Sequence, residues 1–157
     1  MKKFKLTSEF IVDISGVKLF RIKALIEFGN VKAGDLGGYI EKEKNLSHMG
    51  NAWVFGNAQV FGNARVFGNA RVSGDAQVFG DARVSGDKDY AYAHGFGSCN
   101  RTTTFFRLKD GDVGVRCGCF YGTLAQFRDN VCETHGETKK AQEYLMLADL
   151  MDFRFKN

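Results

Sequence analysis

The chain has 157 residues, 44% hydrophobic and 25% charged, with 19 glycines at regular spacing. That balance excludes general disorder and sets the scale of one domain, or of a small central element with a module at each end. The net charge of +4 suits retention of a small anion and falls short of the dense basic character of a dedicated nucleic-acid binder. No stretch approaches the ~20 apolar residues of a membrane span, and the opening MKKFKLTSEF has no signal-peptide core, so a cytoplasmic protein with Cys99, Cys117, Cys119 and Cys132 as thiols is expected.

In chain order, EFIVDI and KLFRIKALI are strand-like and flank Ser15-Gly16, which predicts a β-hairpin over the first 28 residues. Glycines 34, 37 and 38 then lead into the next segment. Residues 1–45 are read as an N-terminal hairpin cap and lead-in.

From Gly50 the chain repeats a hexapeptide: GNAWVF, GNAQVF, GNARVF, GNARVS, GDAQVF and GDARVS, with a degenerate unit beginning at Gly86. A period of six does not fit an amphipathic helix. In each unit Ala and Val are two residues apart, so on a short strand both point inward and the residue between them points outward. The Gly-Asn or Gly-Asp pair turns the chain, and three units close a triangle of 18 residues. Residue i then stacks on i+18: Trp53 on Arg71, Gln59 on Gln77, Arg65 on Arg83, and Phe61 on Phe79, while Phe55 meets Ser73 and Phe67 meets Ser85. Two to three coils are expected over residues 46–97, with degenerate flanks at 46–49 and 90–93. Their open ends require caps, because terminal strands otherwise present unpaired backbone groups.

These units resemble the hexapeptide-repeat, left-handed parallel β-helix family, and the hand is implied by that resemblance. After the repeat, TTTFFRL and VGVRC around Asp110-Gly111 predict a hairpin. A capping box at Thr123 and Gln126 opens a helix that stops at Gly136, and a second runs from about Thr138 to Met151 with Ala141, Tyr144, Leu145, Ala148 and Met151 on one face. The expected fold is mainly β: a short left-handed parallel β-helix with an N-terminal hairpin cap and, at 98–157, a C-terminal ββαα module. The whole chain resembles small bacteriophage-encoded proteins through GDLGGYIEKEKNLS, the GNAxV units, GVRCGCFYGTLAQF, ETHG and EYLMLADL. That resemblance implies a bacteriophage protein made inside a bacterium and carries no activity.

Hexapeptide-repeat folds often belong to acyltransferases, which use a histidine as general base and a coenzyme A thioester as donor. Of His48, His94 and His135, none falls in a loop protruding from the clear repeats, and His94 is the best placed. Cys117, Cys119, Cys132 and His135 are ligand types for tetrahedral zinc, although C-x-C is unusual spacing and Cys132 falls in a predicted helix. Buried thiols and a histidine at a helix C-terminus account for the same residues, so no metal or cofactor is expected.

Outward Phe55, Phe61, Phe67 and Phe79 point to a homo-oligomer interface, a trimer first and a dimer next. Arg65 beneath Arg83 places like charges side by side on neighbouring strands, which solvent screening tolerates or an anionic partner explains. Trp53, Arg65, Arg71 and Arg83 are therefore the predicted ligand-binding residues. They point to a non-enzymatic binding protein that interferes with host defence, by sequestering an anionic nucleotide signal or by blocking a defence protein. The alternatives are an acyltransferase-like enzyme and a virion component.

Overall fold

The computed structural model describes residues 2–96, 101–118 and 120–156. Strands β1 (Phe4–Val12) and β2 (Lys18–Ala24) form the expected antiparallel hairpin, turned at Gly16 with φ 88°. β1 begins earlier than EFIVDI because Phe4 is fully buried against the coil. Strand β3 (Leu36–Ile40) pairs antiparallel with β2 and parallel with Gln59–Val60 of the second repeat unit, so the lead-in is itself the first rung of that stack. Gly37 and Gly38 make this approach possible. A Cβ at either would sit 2.5–2.6 Å from the carbonyl oxygens of Val54 and Ala58.

The repeat forms two-residue parallel strands in three stacks. β4 (Trp53–Val54) pairs with β7 (Arg71–Val72), β5 (Gln59–Val60) with β8 (Gln77–Val78), and β6 (Arg65–Val66) with β9 (Arg83–Val84). Each pair joins residues i and i+18, the expected register. The Ala and Val of all six units are at most 1% exposed. Burying six valines and six alanines at ~25 cal/mol per Å² is what holds so thin a column together.

Both ends of the column are closed by specific donors and acceptors. Within the repeat, each inward strand donates to the next coil, as Trp53 N–H does to Ala70 at 3.1 Å and Gln59 N–H to Ala76 at 2.9 Å. The first coil therefore has spare carbonyls and the last has spare amides. The carbonyls of Ala58, Val60 and Val66 accept from the N–H groups of Tyr39, Glu41 and Ser47. Fully buried Asn45 donates its amide to Gly62 and Ala64 carbonyls, and Lys3 Nζ donates to those of Gly50 and Ala52. At the other end, N–H groups of Arg71, Ser73, Gln77 and Ser85 donate to Asp87, Tyr90, Thr104 and Asp89 side chains. Burial makes Lys3 easier to deprotonate, lowering its pKa to about 8.

The C-terminal module differs from a ββαα unit. Strands β10 (Tyr90–Phe96), β11 (Arg101–Arg107), β12 (Val113–Cys117) and β13 (Phe120–Thr123) form one antiparallel sheet. Residues 90–93 are thus part of this sheet and not a degenerate coil, because β10 finds its partner in β11. Helix α1 (Leu124–His135) has the predicted Thr123/Gln126 capping box, and α2 (Lys139–Phe155) runs a turn further than expected. Strand β11 faces two ways, with Phe106 in the coil's core and Phe105 in the core of the module with Phe127, Tyr144 and Ala148. No helix among the described residues is long and apolar enough to cross a membrane.

Candidate functional site

Arg65 and Arg83 are in direct register on the β6–β9 stack. Arg83 is held by its own backbone surroundings: Nη1 donates to the carbonyls of Asn63 at 2.9 Å and Ala82 at 2.8 Å. Arg65 is exposed, and its guanidinium has no hydrogen-bond or ion-pair partner among the described residues. The two arginines separate two hollows. One, of about 760 Å³, is walled by Lys2, Lys44, Leu46, His48 and Phe67; the other, of about 620 Å³, is walled by Lys42, Lys44, Asn63, Asp81 and Lys109. Cations outnumber carboxylates around both.

Glu43 is the acid nearest the larger hollow, and it is already engaged. Its carboxylate takes Lys2 Nζ at 3.0 Å and His48 Nε2 at 2.9 Å. These two hydrogen bonds hold its pKa below the usual glutamate range. Lys44, Arg65 and Arg83 have no ion-pair partner among the described residues. His48 Nδ1 accepts from the Lys3 amide at 3.0 Å, so Nε2 carries the proton offered to Glu43, and the ring lies stacked on Phe4 at 4.2 Å. Neither nitrogen is left with a lone pair facing the hollow.

The remaining predicted residues are distributed elsewhere. Trp53 is a correction: it is 1% exposed, edge-on to Phe4 and Phe28, because the N-terminal hairpin packs over the outward position of β4. Its indole cannot serve as a platform for a base. Arg71, in register with it, borders separate hollows beside Asn51 and Asn69 and beside Tyr92 and Arg154, away from Arg65 and Arg83. The phenylalanines divide as well. Phe61 is fully buried with Leu19 and Tyr39, stacks near Phe79 at 4.6 Å, and lies under Arg116, so the Phe61–Phe79 ladder is filled by this chain's own flanks and is no free interface. Phe55 packs against the main core, and Phe67 is 40% exposed on the wall of the larger hollow.

His94 is exposed on β10 and bonded to Thr102, away from the hollows. His135 sits at the end of α1 with its ring 5.6 Å from that of Tyr144. Cys117 is buried and accepts from the Thr103 hydroxyl at 3.2 Å, Cys132 is exposed on α1, and Cys99 and Cys119 lie outside the described residues. Among the described residues no group of three His, Cys, Asp or Glu side chains converges on a common point.

The three stacks in i to i+18 register are the geometry of a repeat β-solenoid, and comparison with family models agrees. The YdcK beta solenoid repeat matches residues 58–74 and 76–87. The match to this solenoid repeat ends at Asp87, where a short 3₁₀ turn (Asp87–Asp89) leads into β10. No curated protein matches the chain.

Lys2, Lys44, Leu46 and His48 were not among the predicted site residues, and Phe67 was assigned to an interface. All but Phe67 lie outside the clear repeats: Lys44, Leu46 and His48 reach the arginines because residues 43–48 run beside β6, where Leu46 bridges Val66, and Lys2 is drawn in by its ion pair with Glu43. For Lys44 the sequence signal was the KEKN segment of the lead-in, a basic pair just before the coil.

Proposed function

We propose that this chain is a non-enzymatic binding protein that holds a small phosphate-bearing ligand, a nucleotide, against Arg65 and Arg83. The observation that supports this reading is the in-register pair of arginines, neither in an ion pair among the described residues, on the shared wall of two hollows where cations outnumber carboxylates. Like charges on neighbouring strands repel, and a bound phosphate turns that repulsion into attraction. Lys44 adds a third cation, and the half-exposed ring of Phe67 supplies an apolar wall for a base or sugar. Charged hydrogen bonds contribute about 1.5–3 kcal/mol each and stacking on an aromatic ring about 1–3, so three or four contacts reach micromolar affinity after association costs.

The solenoid in this reading is a left-handed parallel β-helix, a rigid post whose variable outward positions carry the site. In the bacteriophage setting implied by the whole-chain resemblance, holding a nucleotide in the host cytoplasm removes a signal from a defence pathway. Acyl transfer needs a base with a free nitrogen, and both nitrogens of His48, the histidine at the hollow, are already engaged. Native mass spectrometry of the protein recovered from infected bacteria tests the reading. Co-purification of a phosphate-bearing small molecule supports it, and recovery of the bare polypeptide alone, or bound only to a host protein, contradicts it.

A further inference from the structure

Helix α2 is apolar on two opposite faces. Ala141, Tyr144, Ala148, Met151 and Phe155 are buried against β10–β13 and α1. Met146, Leu150 and Phe153, spaced four and three residues apart on the far side, are 69%, 55% and 78% exposed. One amphipathic stripe is what a surface helix needs; a second continuous stripe is the mark of a helix covered on both sides.

The charges beside this stripe identify what covers it. Glu143 and Arg154 lie on the same flank, about three turns apart, and neither has an ion-pair partner in its own chain among the described residues. Arg154 donates through Nη2 to the carbonyls of Asp87 and Tyr90, which fixes its direction and leaves Nε and Nη1 for a carboxylate. On the opposite flank Asp149 is already occupied by Arg128 at 2.6 Å. An antiparallel copy of the same helix, related by a two-fold axis near Ala148 and Asp149, sets each Glu143 against the other chain's Arg154 and seats each Met146 between the other chain's Leu150 and Phe153.

We infer that α2 is a homodimer interface, formed by antiparallel pairing of the Met146–Leu150–Phe153 stripe and fixed in register by two reciprocal Glu143–Arg154 pairs. The site does not use the Phe61–Phe79 ladder and lies apart from the Arg65–Arg83 hollows. Its oligomer is a dimer and not a trimer.

Size-exclusion chromatography with light scattering tests this on the full chain at micromolar concentration. Wild type should elute at twice the chain mass. Leu150→Asp should elute at the single-chain mass with unchanged far-ultraviolet circular dichroism, since position 150 faces away from the core. Glu143→Arg should weaken the dimer at least tenfold, and Glu143→Arg/Arg154→Glu should recover most of that loss. A monomeric or trimeric wild type, a Leu150→Asp variant that stays dimeric, or a double reversal no tighter than Glu143→Arg overturns the inference.

Discussion

Arg116 donates to both carboxylate oxygens of Asp13 at 3.2 Å across 103 residues of sequence, tying the C-terminal sheet to the turn of the N-terminal hairpin. Both side chains are 4% exposed. The guanidinium also lies over Phe61 at 5.0 Å and Phe79 at 4.7 Å, so one residue joins all three parts of the chain. Removing one partner leaves the other charge buried and unpaired. Asp13→Ala should therefore lower stability by about 3–5 kcal/mol in urea denaturation, and Asp13→Ala/Arg116→Met should recover most of the loss. A single variant of wild-type stability would show that the pair carries no weight.

The same contact predicts an acid limb. Burial works to raise the pKa of Asp13, but the Ser15 hydroxyl and amide and the Arg116 charge outweigh it and hold it below the ordinary aspartate range. At Asp89 burial is likewise outweighed, by the Ser85 amide and hydroxyl and by Arg107. In both cases the unfolded chain binds protons more readily, so the stabilisation is complete above about pH 5 and is lost as pH falls through the unfolded and then the folded values. Melting temperature should drop steeply in that range for wild type and less steeply for Asp13→Asn/Asp89→Asn, which begins from a lower plateau. Parallel profiles would remove these aspartates as the cause.

Corner glycines should differ in cost although the repeat makes them look alike. Gly56, at φ 59°, has open space where a Cβ would go, whereas at Gly68, φ 64°, a Cβ would meet the Ser85 carbonyl oxygen at 2.7 Å. Gly56→Ala should cost about 1–2 kcal/mol for the left-handed backbone alone, and Gly68→Ala clearly more because two backbones are forced apart. Equal losses would mean that coil spacing at the corner is not what limits the residue.

Trp53 reports on the hairpin. As the chain's single tryptophan, buried beside Phe4 and Phe28, it should emit at short wavelength and resist acrylamide quenching. Phe4→Ala opens that packing and should shift the emission to the red, while nucleotides should leave it unchanged. Quenching by added nucleotide would restore the indole to the binding site.

The coil was legible because each unit restates the same constraints: an Ala-x-Val inward pair, a glycine corner and an 18-residue stacking rule that pairs Arg65 with Arg83. Trp53 was misplaced because the period defines outside the coil, not outside the protein, and the hairpin covers that stack. Phe61 fails for the same reason under Leu19 and Arg116. Strand β10 was hidden because Tyr90 and Ala91 continue the repeat's phase while their backbone partners lie in β11, beyond any local pattern. The lysines and Phe67 of the larger hollow come together only through the path of the lead-in, which has no periodicity.

The most direct test of the anion site is equilibrium dialysis of the protein against a bacterial nucleotide pool, read by mass spectrometry, comparing wild type with Arg65→Ala, Arg83→Ala and the double variant. Arg65→Ala should retain at least tenfold less nucleotide at undiminished thermal stability, because an unpaired, repelled charge is removed. Arg83→Ala should lose both binding and about 1 kcal/mol of stability with its two carbonyl contacts. The double variant should retain nothing. Retention of the same nucleotides by the double variant, or by no form of the protein, contradicts the account.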